Sequence, residues 1–242
     1  MDTVIEKFKL LRLKNCAQNL ADVLEQSRRN NLSALQTIDR LLEIELASRE
    51  KARVALKFKS SRLGEKTTID QFDFGHHESR QKQKALILNL VDLEFIRAKK
   101  DIISIGNPGT GKTFLSRCIA YAATQAGIKT LFTTAIDMIN QLVAADADHT
   151  LLKKLQYYQS QDLLVCDEIG YLPLGRQGSN LFFQVISARH EKKSTIITTN
   201  LPFAKWGDIF TEPLLPQRLR TASFTTLRSL SWKEIAIEKG HE

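Results

Sequence analysis

One short segment near the middle of this 242-residue chain constrains its fold more than any other feature. The segment matches the pattern Gly-x-x-x-x-Gly-Lys-Ser/Thr, follows the apolar residues 101–105 and precedes an amphipathic stretch. Glycines at such a strand-to-helix turn let backbone N–H groups and the helix N-terminus face an anion. We therefore predict a phosphate-binding loop, formed by Gly106, Asn107, Pro108, Gly109, Thr110, Gly111, Lys112 and Thr113. Within it, Lys112 is expected to reach the β- and γ-phosphates of a nucleotide, and the Thr113 hydroxyl to ligate Mg²⁺.

A second motif supplies two carboxylates. The apolar residues 163–166 are followed directly by Asp167 and Glu168. A buried strand would bring Asp167 to the sheet edge beside the phosphates, where its carboxylate can hold hydrated Mg²⁺. Glu168 is then positioned to orient and deprotonate an attacking water. The additional glutamate favours hydrolysis of the nucleotide over phosphoryl transfer to a small acceptor.

Two further candidates lie later in the chain. Asn200 ends the β-branched stretch 194–199, so its amide can contact the γ-phosphate or the attacking water; the alternative is an amide that begins a turn before Pro202. Arg218 lies beyond the last predicted core strand, where ring-forming ATPases carry an arginine that reaches the γ-phosphate of a neighbouring subunit. The alternative for Arg218 is a place on a solvated helix face.

Helical and extended patterns alternate from about residue 84 onward, which is typical of βαβ units. We predict a three-layer α/β fold of the P-loop NTPase class, with a parallel sheet covered by helices on both faces. The predicted strands are 101–105, 129–134, 162–167 and 194–199. The predicted helices are 79–97, 112–126, 135–145 and 178–191.

Residues 1–66 are predicted to form a small, basic all-α domain, joined by a linker at 67–83 to an ATPase domain at 84–242. Apolar residues recur at helical spacing, and Ser33 with Gln36 has the spacing of a capping box at the start of a helix. One expected apolar stripe consists of Leu10, Leu13, Ala17, Leu20 and Leu24, and the other of Leu35, Ile38, Leu42 and Leu46.

The charge balance points to a polyanionic partner. The net charge of the chain is +8, and residues 1–66 alone carry 14 basic against 9 acidic side chains. Nucleic acid or an anionic surface would both attract such a region, while a solvated helix face is the alternative. The sequence offers neither a long apolar segment nor a signal peptide, so we expect a cytoplasmic protein without a membrane partner.

Taken together, these motifs resemble the IstB-like ATP-binding proteins. The resemblance rests on the loop 106–113, on the stretches Asp167–Leu174 and Thr198–Phe203, and on Trp206 with Gly207, and it spans nearly the whole chain. Members of this family are AAA+ helper ATPases of insertion-sequence transposition and relatives of the DnaC-type helicase loaders.

The resemblance implies an Mg²⁺-dependent ATPase with a short C-terminal lid. It also implies a homo-oligomer that assembles on double-stranded DNA, depends on ATP and recruits a transposase. By match to the family motifs, Lys112, Thr113, Asp167 and Glu168 carry over as nucleotide and hydrolysis residues, and Asn200 as the sensor. Two alternatives stay open: a replicative helicase loader of the DnaC type, and a DNA-coating scaffold in which ATP gates assembly without being hydrolysed.

Overall fold

The computed structural model describes residues 1–75, 78–170, 174–202, 205–206 and 224–228. The chain divides into two compact units, Met1–Leu56 and Lys57–Glu242. The predicted N-terminal region ends at residue 66, whereas the second unit already begins at Lys57. The division falls earlier because Leu63 is buried in a core of the second unit and Phe58 packs against the same core.

The first unit consists of helices around a small apolar core. Helices α1 (Asp2–Leu10) and α2 (Lys14–Arg29) precede α3 (Ala34–Ser60), whose last turn belongs to the second unit. The capping box predicted at the start of α3 is confirmed, because Ser33 and Gln36 exchange side-chain to backbone hydrogen bonds. The buried core residues are Cys16, Leu20, Val23 and Leu41.

The predicted apolar stripe on α3 is wrong as a core face. Its four members, Leu35, Ile38, Leu42 and Leu46, leave between 43% and 76% of their surface exposed. Helix α3 instead turns Leu41 and Glu45 inward. The stripe predicted on the first helix is right at Leu20 but wrong at Leu10, which is 82% exposed because α1 ends there and α2 begins only at Lys14.

The hydrogen bonds of Glu45 explain why this polar residue takes an inward position on α3. Its carboxylate accepts the backbone N–H groups of Asn15 and Cys16 at 2.8 and 3.3 Å and the Arg49 guanidinium at 2.9 Å. The first-turn N–H groups of a helix have no partner within the helix and attract an anion. Burial alone raises the pKa of Glu45, but the hydrogen bonds from Arg49, Asn15 and Cys16 lower it overall.

The second unit is built on a parallel five-stranded sheet with the order β2-β3-β4-β1-β5. The strands are β1 (Asp101–Ile105), β2 (Thr130–Thr134), β3 (Leu163–Ile169), β4 (Ser194–Thr199) and β5 (Phe224–Arg228). The four strands predicted from the sequence are confirmed, and so is the α/β class with a parallel sheet. Strand β5 was not predicted; it pairs with β1 from Asp101 to Ile105.

Helices cover the sheet on both faces. They are α4 (Glu78–Lys82), α5 (Lys84–Val91), α6 (Glu94–Arg97), α7 (Lys112–Gln125), α8 (Ala135–Ala147), α9 (Leu151–Gln159) and α10 (Gly175–Arg189). Neighbouring strand residues point to opposite faces. Ile103 packs in one core with residues of α8, α9 and α10, and Ile102 packs in the other with residues of α5, α6 and α7. The predicted three-layer arrangement follows from this alternation.

The prediction of one helix over 79–97 is wrong. The segment forms α4, α5 and α6. Leu93 separates α5 from α6, because it adopts a left-handed conformation with φ 63° that interrupts the helical path. Helix α9 is also absent from the prediction. Within the described part of the chain, no helix is both long and apolar enough to cross a membrane.

Candidate nucleotide-binding site

The predicted site residues that the structure describes converge at the carboxyl edge of the sheet. The loop 106–113 follows β1, Asp167 and Glu168 lie near the end of β3, and Asn200 directly follows β4. Because the strands are parallel and adjacent, their carboxyl ends meet at one edge, which is where open α/β sheets bind ligands. A cavity of about 420 Å³ opens there. Its lining includes Pro108, Gly109, Gly111, Lys112, Thr113, Glu168 and Asn200.

The loop itself is shaped by backbone conformation. Gly109 and Gly111 have φ values of 78° and 90°, which side-chain-bearing residues rarely adopt. Lys112 folds back over the loop, and its ammonium donates to the carbonyls of Gly106 at 2.6 Å and Asn107 at 2.9 Å. Burial lowers the pKa of Lys112, while the charges of Asp167 and Glu168 oppose that shift. The loop therefore presents a cation and a helix N-terminus to the cavity.

Thr113 and Asp167 lie together, although they are far apart in sequence. The Thr113 hydroxyl donates to Asp167 Oδ1 at 3.1 Å, and Asp167 is only 3% exposed. A hydroxyl beside a carboxylate, next to a phosphate-binding loop, is the oxygen-donor set that Mg²⁺ uses in P-loop NTPases. The two residues therefore fit the ion for which the sequence predicted them.

Thr198 was not predicted, and it connects the two carboxylate residues. Its hydroxyl donates to Asp167 Oδ1 and accepts the backbone N–H of Glu168 at 2.9 Å. At this point β3 departs from regular register with β4, and Glu168 adopts φ 61° with an exposed side chain. Such a bulge redirects a side chain away from the strand. The sequence signal for Thr198 is its place near the end of β4, two residues before Asn200.

Asn200 has an unsatisfied polar atom. Among the described residues, its buried Oδ1 has no hydrogen-bond partner, and the residue lines the cavity. Buried amide oxygens in folded proteins are nearly always bonded, so this atom is available to a ligand or a water. Arg218 lies outside the described residues, and its predicted role stays a prediction.

Two other residues of the cavity were not predicted. Arg117, one turn after Thr113 on α7, donates to the carbonyl of Leu63 at 3.1 Å and stacks over the Phe132 ring at 4.7 Å. Its guanidinium also approaches the carboxylate of Glu65 at 3.8 Å. Both Arg117 and Glu65 line the cavity. They extend its polar wall from the phosphate-binding loop towards the segment that follows α3.

The fold is that of P-loop NTPases of the AAA+ type, and solved structures with this fold are similar to it. DnaA from Aquifex aeolicus bound to AMPPCP matches with a TM-score of 0.59 and 20% identity, covering 69% of this chain and 51% of that one. The DnaC helicase loader matches with a TM-score of 0.57 and 23% identity, covering 66% of this chain and 96% of that one. At sequence identities this low, the structural similarity establishes the fold and does not by itself establish the function.

The chain belongs to the family described as IstB-like ATP binding protein, whose model matches residues 6–221. A protein of insertion sequence IS232 from Bacillus thuringiensis subsp. berliner is 37% identical over 86% of this chain and 82% of its own length. A protein of IS5376 from Geobacillus stearothermophilus is 36% identical over 85% of this chain and 81% of its own length. Both relatives are named as ATP-binding proteins. The resemblance found in the sequence is therefore confirmed, and the chain is an ATP-binding protein of the insertion-sequence type.

Proposed function

We propose that this chain is a Mg²⁺-dependent ATPase that assembles on double-stranded DNA and recruits a transposase. The observation that carries the enzymatic part is the Thr113–Asp167 contact at 3.1 Å beside the phosphate-binding loop, with Glu168 next to it. Its membership in a family of insertion-sequence proteins supports the transposition part.

In this proposal each residue at the sheet edge has one task. Thr113 and Asp167 hold Mg²⁺, which would neutralise charge on the β- and γ-phosphates. Lys112 exchanges its bonds to loop carbonyls for the phosphate oxygens. Glu168 orients a water and accepts its proton, and the Asn200 amide binds that water or the γ-phosphate.

The catalytic unit is completed by a second copy of the chain. We propose that Arg218 of one subunit contacts the γ-phosphate held by the loop of its neighbour, so that ATP joins the two subunits. Hydrolysis removes that phosphate and loosens the contact, because the arginine loses its anionic partner. ATP therefore favours assembly, and ADP favours release.

The basic N-terminal helices are the proposed DNA contact. Arg28, Arg29 and Lys51 are exposed in the first unit. Arg29 and Arg53 form ion pairs with Glu25 and Glu50. The positive potential that they present to DNA is therefore weaker than that of an unpaired arginine. Exposed lysines and arginines bind the phosphate backbone without reading the bases, and such binding weakens steeply with salt.

The test is the size of the full chain on duplex DNA in the presence of Mg²⁺. With ATP we expect a species of several subunits, with ADP mainly the unassembled chain, and with single-stranded DNA of equal length less assembly. Assembly that is the same with ATP and ADP would contradict the proposal. A Glu168→Gln variant serves as a control, because it should assemble with ATP and then fail to release.

A DnaC-like helicase loader is the second candidate, favoured by the match to the DnaC structure over 96% of that chain. Both candidates use the same ATPase site, so they differ in the protein partner. Binding of the chain to a transposase encoded beside it, without binding to a replicative helicase, supports the first proposal. The opposite result supports the loader.

A further inference from the structure

Arg80 holds the outer side of the phosphate-binding loop. It lies on the short helix α4, is only 8% exposed, and donates from Nη2 to the carbonyl of Thr110 at 3.0 Å, with the carbonyl of Gly109 at 3.5 Å. Its Nη1 donates to the carbonyl of Asp73 at 2.9 Å. One guanidinium therefore connects the predicted linker with the loop.

An aromatic ring supports the guanidinium. The Phe72 ring lies 4.8 Å from the Arg80 guanidinium carbon and stacks with Phe114 at 6.0 Å between ring centroids. A Cβ placed on Gly111 would meet the Phe72 ring at 2.9 Å and Arg80 Nη2 at 3.2 Å. Phe72 and Arg80 therefore lie in close contact with the loop at Gly111. We refer to this pair as the brace.

The geometry of the peptide bond gives the brace a consequence for phosphate binding. In a planar trans peptide the carbonyl and the following N–H point in opposite directions. The Gly109 carbonyl shares its peptide with the N–H of Thr110, and the Thr110 carbonyl shares its peptide with the N–H of Gly111. Bonds from Arg80 to these carbonyls therefore turn the two N–H groups away from Arg80. Gly109 and Gly111 line the cavity, whereas Arg80 is not among the described lining residues.

We propose that Arg80 is a positioning residue that sets the loop for phosphate before a nucleotide arrives. Without it, ATP has to order these peptides as it binds, and that ordering weakens affinity. Arg80 touches neither Asp167 nor Glu168 in the described contacts, so the chemical step at saturating ATP is unaffected. The buried Nε of Arg80 has no hydrogen-bond partner among the described residues. Because unsatisfied buried donors are rare in folded proteins, the burial of Arg80 here calls for a functional reason. The inference rests on the proposed nucleotide site.

The test is the dissociation constant of the full chain for ATP and ADP, measured with a fluorescent ATP analogue and by competition. Arg80→Met removes the donors and keeps the stem, and we expect ATP and ADP affinity to fall about tenfold to a hundredfold. Arg80→Lys keeps the charge without the planar fork and should lose affinity as well, to a smaller extent. Arg97→Met is the matched control, because Arg97 is exposed and paired with Glu94 outside the site.

The turnover number separates this role from a structural one. At saturating ATP, we expect Arg80→Met to retain the parental kcat within about threefold while KM rises in step with the dissociation constant. A dissociation constant within twofold of the parent in both Arg80 variants would overturn the proposal, and so would a kcat loss with unchanged affinity. Should the parent bind ATP without releasing phosphate, the proposed hydrolysis fails, whereas the binding comparison still tests Arg80. If Arg80→Met does not fold, Phe72→Leu removes the ring behind the guanidinium and should also weaken ATP binding.

Discussion

The two sides of the candidate site are built by different means. The loop side, residues 106–113, presents backbone N–H groups whose direction depends on glycine conformations and on Arg80. The strand side, formed by Asp167, Glu168, Thr198 and Asn200, presents side chains, and the Thr198 hydroxyl bonds both the Asp167 carboxylate and the Glu168 backbone N–H. A backbone cradle suits phosphates that are present in both ATP and ADP. Positioned carboxylate and amide groups suit the attack of water on one phosphorus.

This difference predicts that binding and turnover separate between the two sides. Changes on the strand side should lower the rate of hydrolysis and leave nucleotide affinity nearly intact. Changes to the glycine backbone of the loop or to Arg80 should lower affinity and leave the rate at saturating ATP nearly intact. A variant that breaks this division would show that the two sides act as one unit.

The largest effect is expected for Glu168→Gln on the strand side. Glutamine can still accept and donate hydrogen bonds but cannot take a proton from water, so kcat should fall about 100-fold or more. The dissociation constant for ATP should stay within about threefold of the parent. Phosphate release and fluorescent-nucleotide binding measure the two quantities. Turnover at the parental rate would show that another group is the base.

A smaller loss is expected for Thr198→Val. Valine preserves the shape but leaves the Glu168 N–H without its acceptor and removes a donor to Asp167. We expect kcat to fall about tenfold and the Mg²⁺ concentration needed for half-maximal activity to rise. Thr198→Ser keeps the hydroxyl and should restore most of the rate. Equal losses in the valine and serine variants would show that packing, and not the hydrogen bonds, explains the effect.

The smallest effect separates strain from contact in the loop. Gly111→Ala and Gly109→Ala both place a Cβ at positive φ, but only the Cβ at Gly111 would meet Phe72 and Arg80. We expect Gly111→Ala to lower the free energy of unfolding by about 1 kcal/mol more than Gly109→Ala, with weaker ATP binding. Chemical denaturation of both variants measures the difference. Identical unfolding free energies would show that Phe72 and Arg80 move aside for the added Cβ without a loss of stability.

Sequence reasoning located the residues whose placement follows from local pattern. The glycine-rich loop and the acid pair each follow an apolar strand directly, and parallel strands bring their ends together without further information. The roles of Arg80 and Thr198 could not be predicted from the sequence, because they depend on contacts with residues about thirty positions away along the chain. Neither residue type has a spacing rule that predicts such a partner.

Helical periodicity misled where a polar group had a buried partner. The leucine row of α3 has regular spacing, but the inward position went to Glu45, whose carboxylate bonds the first turn of α2. That carboxylate receives two N–H groups and a guanidinium, so its burial is compensated. The spacing of apolar residues in the sequence does not reveal these hydrogen bonds. The break of the predicted helix 79–97 at Leu93 has likewise no glycine or proline to mark it.

The most direct test of the account is the release of inorganic phosphate from ATP by the unmodified full chain. We expect release with Mg²⁺, none with a chelator in its place, and nearly none from Glu168→Gln with Mg²⁺ although this variant binds ATP. Fluorescent-nucleotide binding in the same samples confirms that each site is loaded. Bound ATP that persists unhydrolysed in the unmodified chain, with Mg²⁺ and duplex DNA present, would show that the chain is not an ATPase.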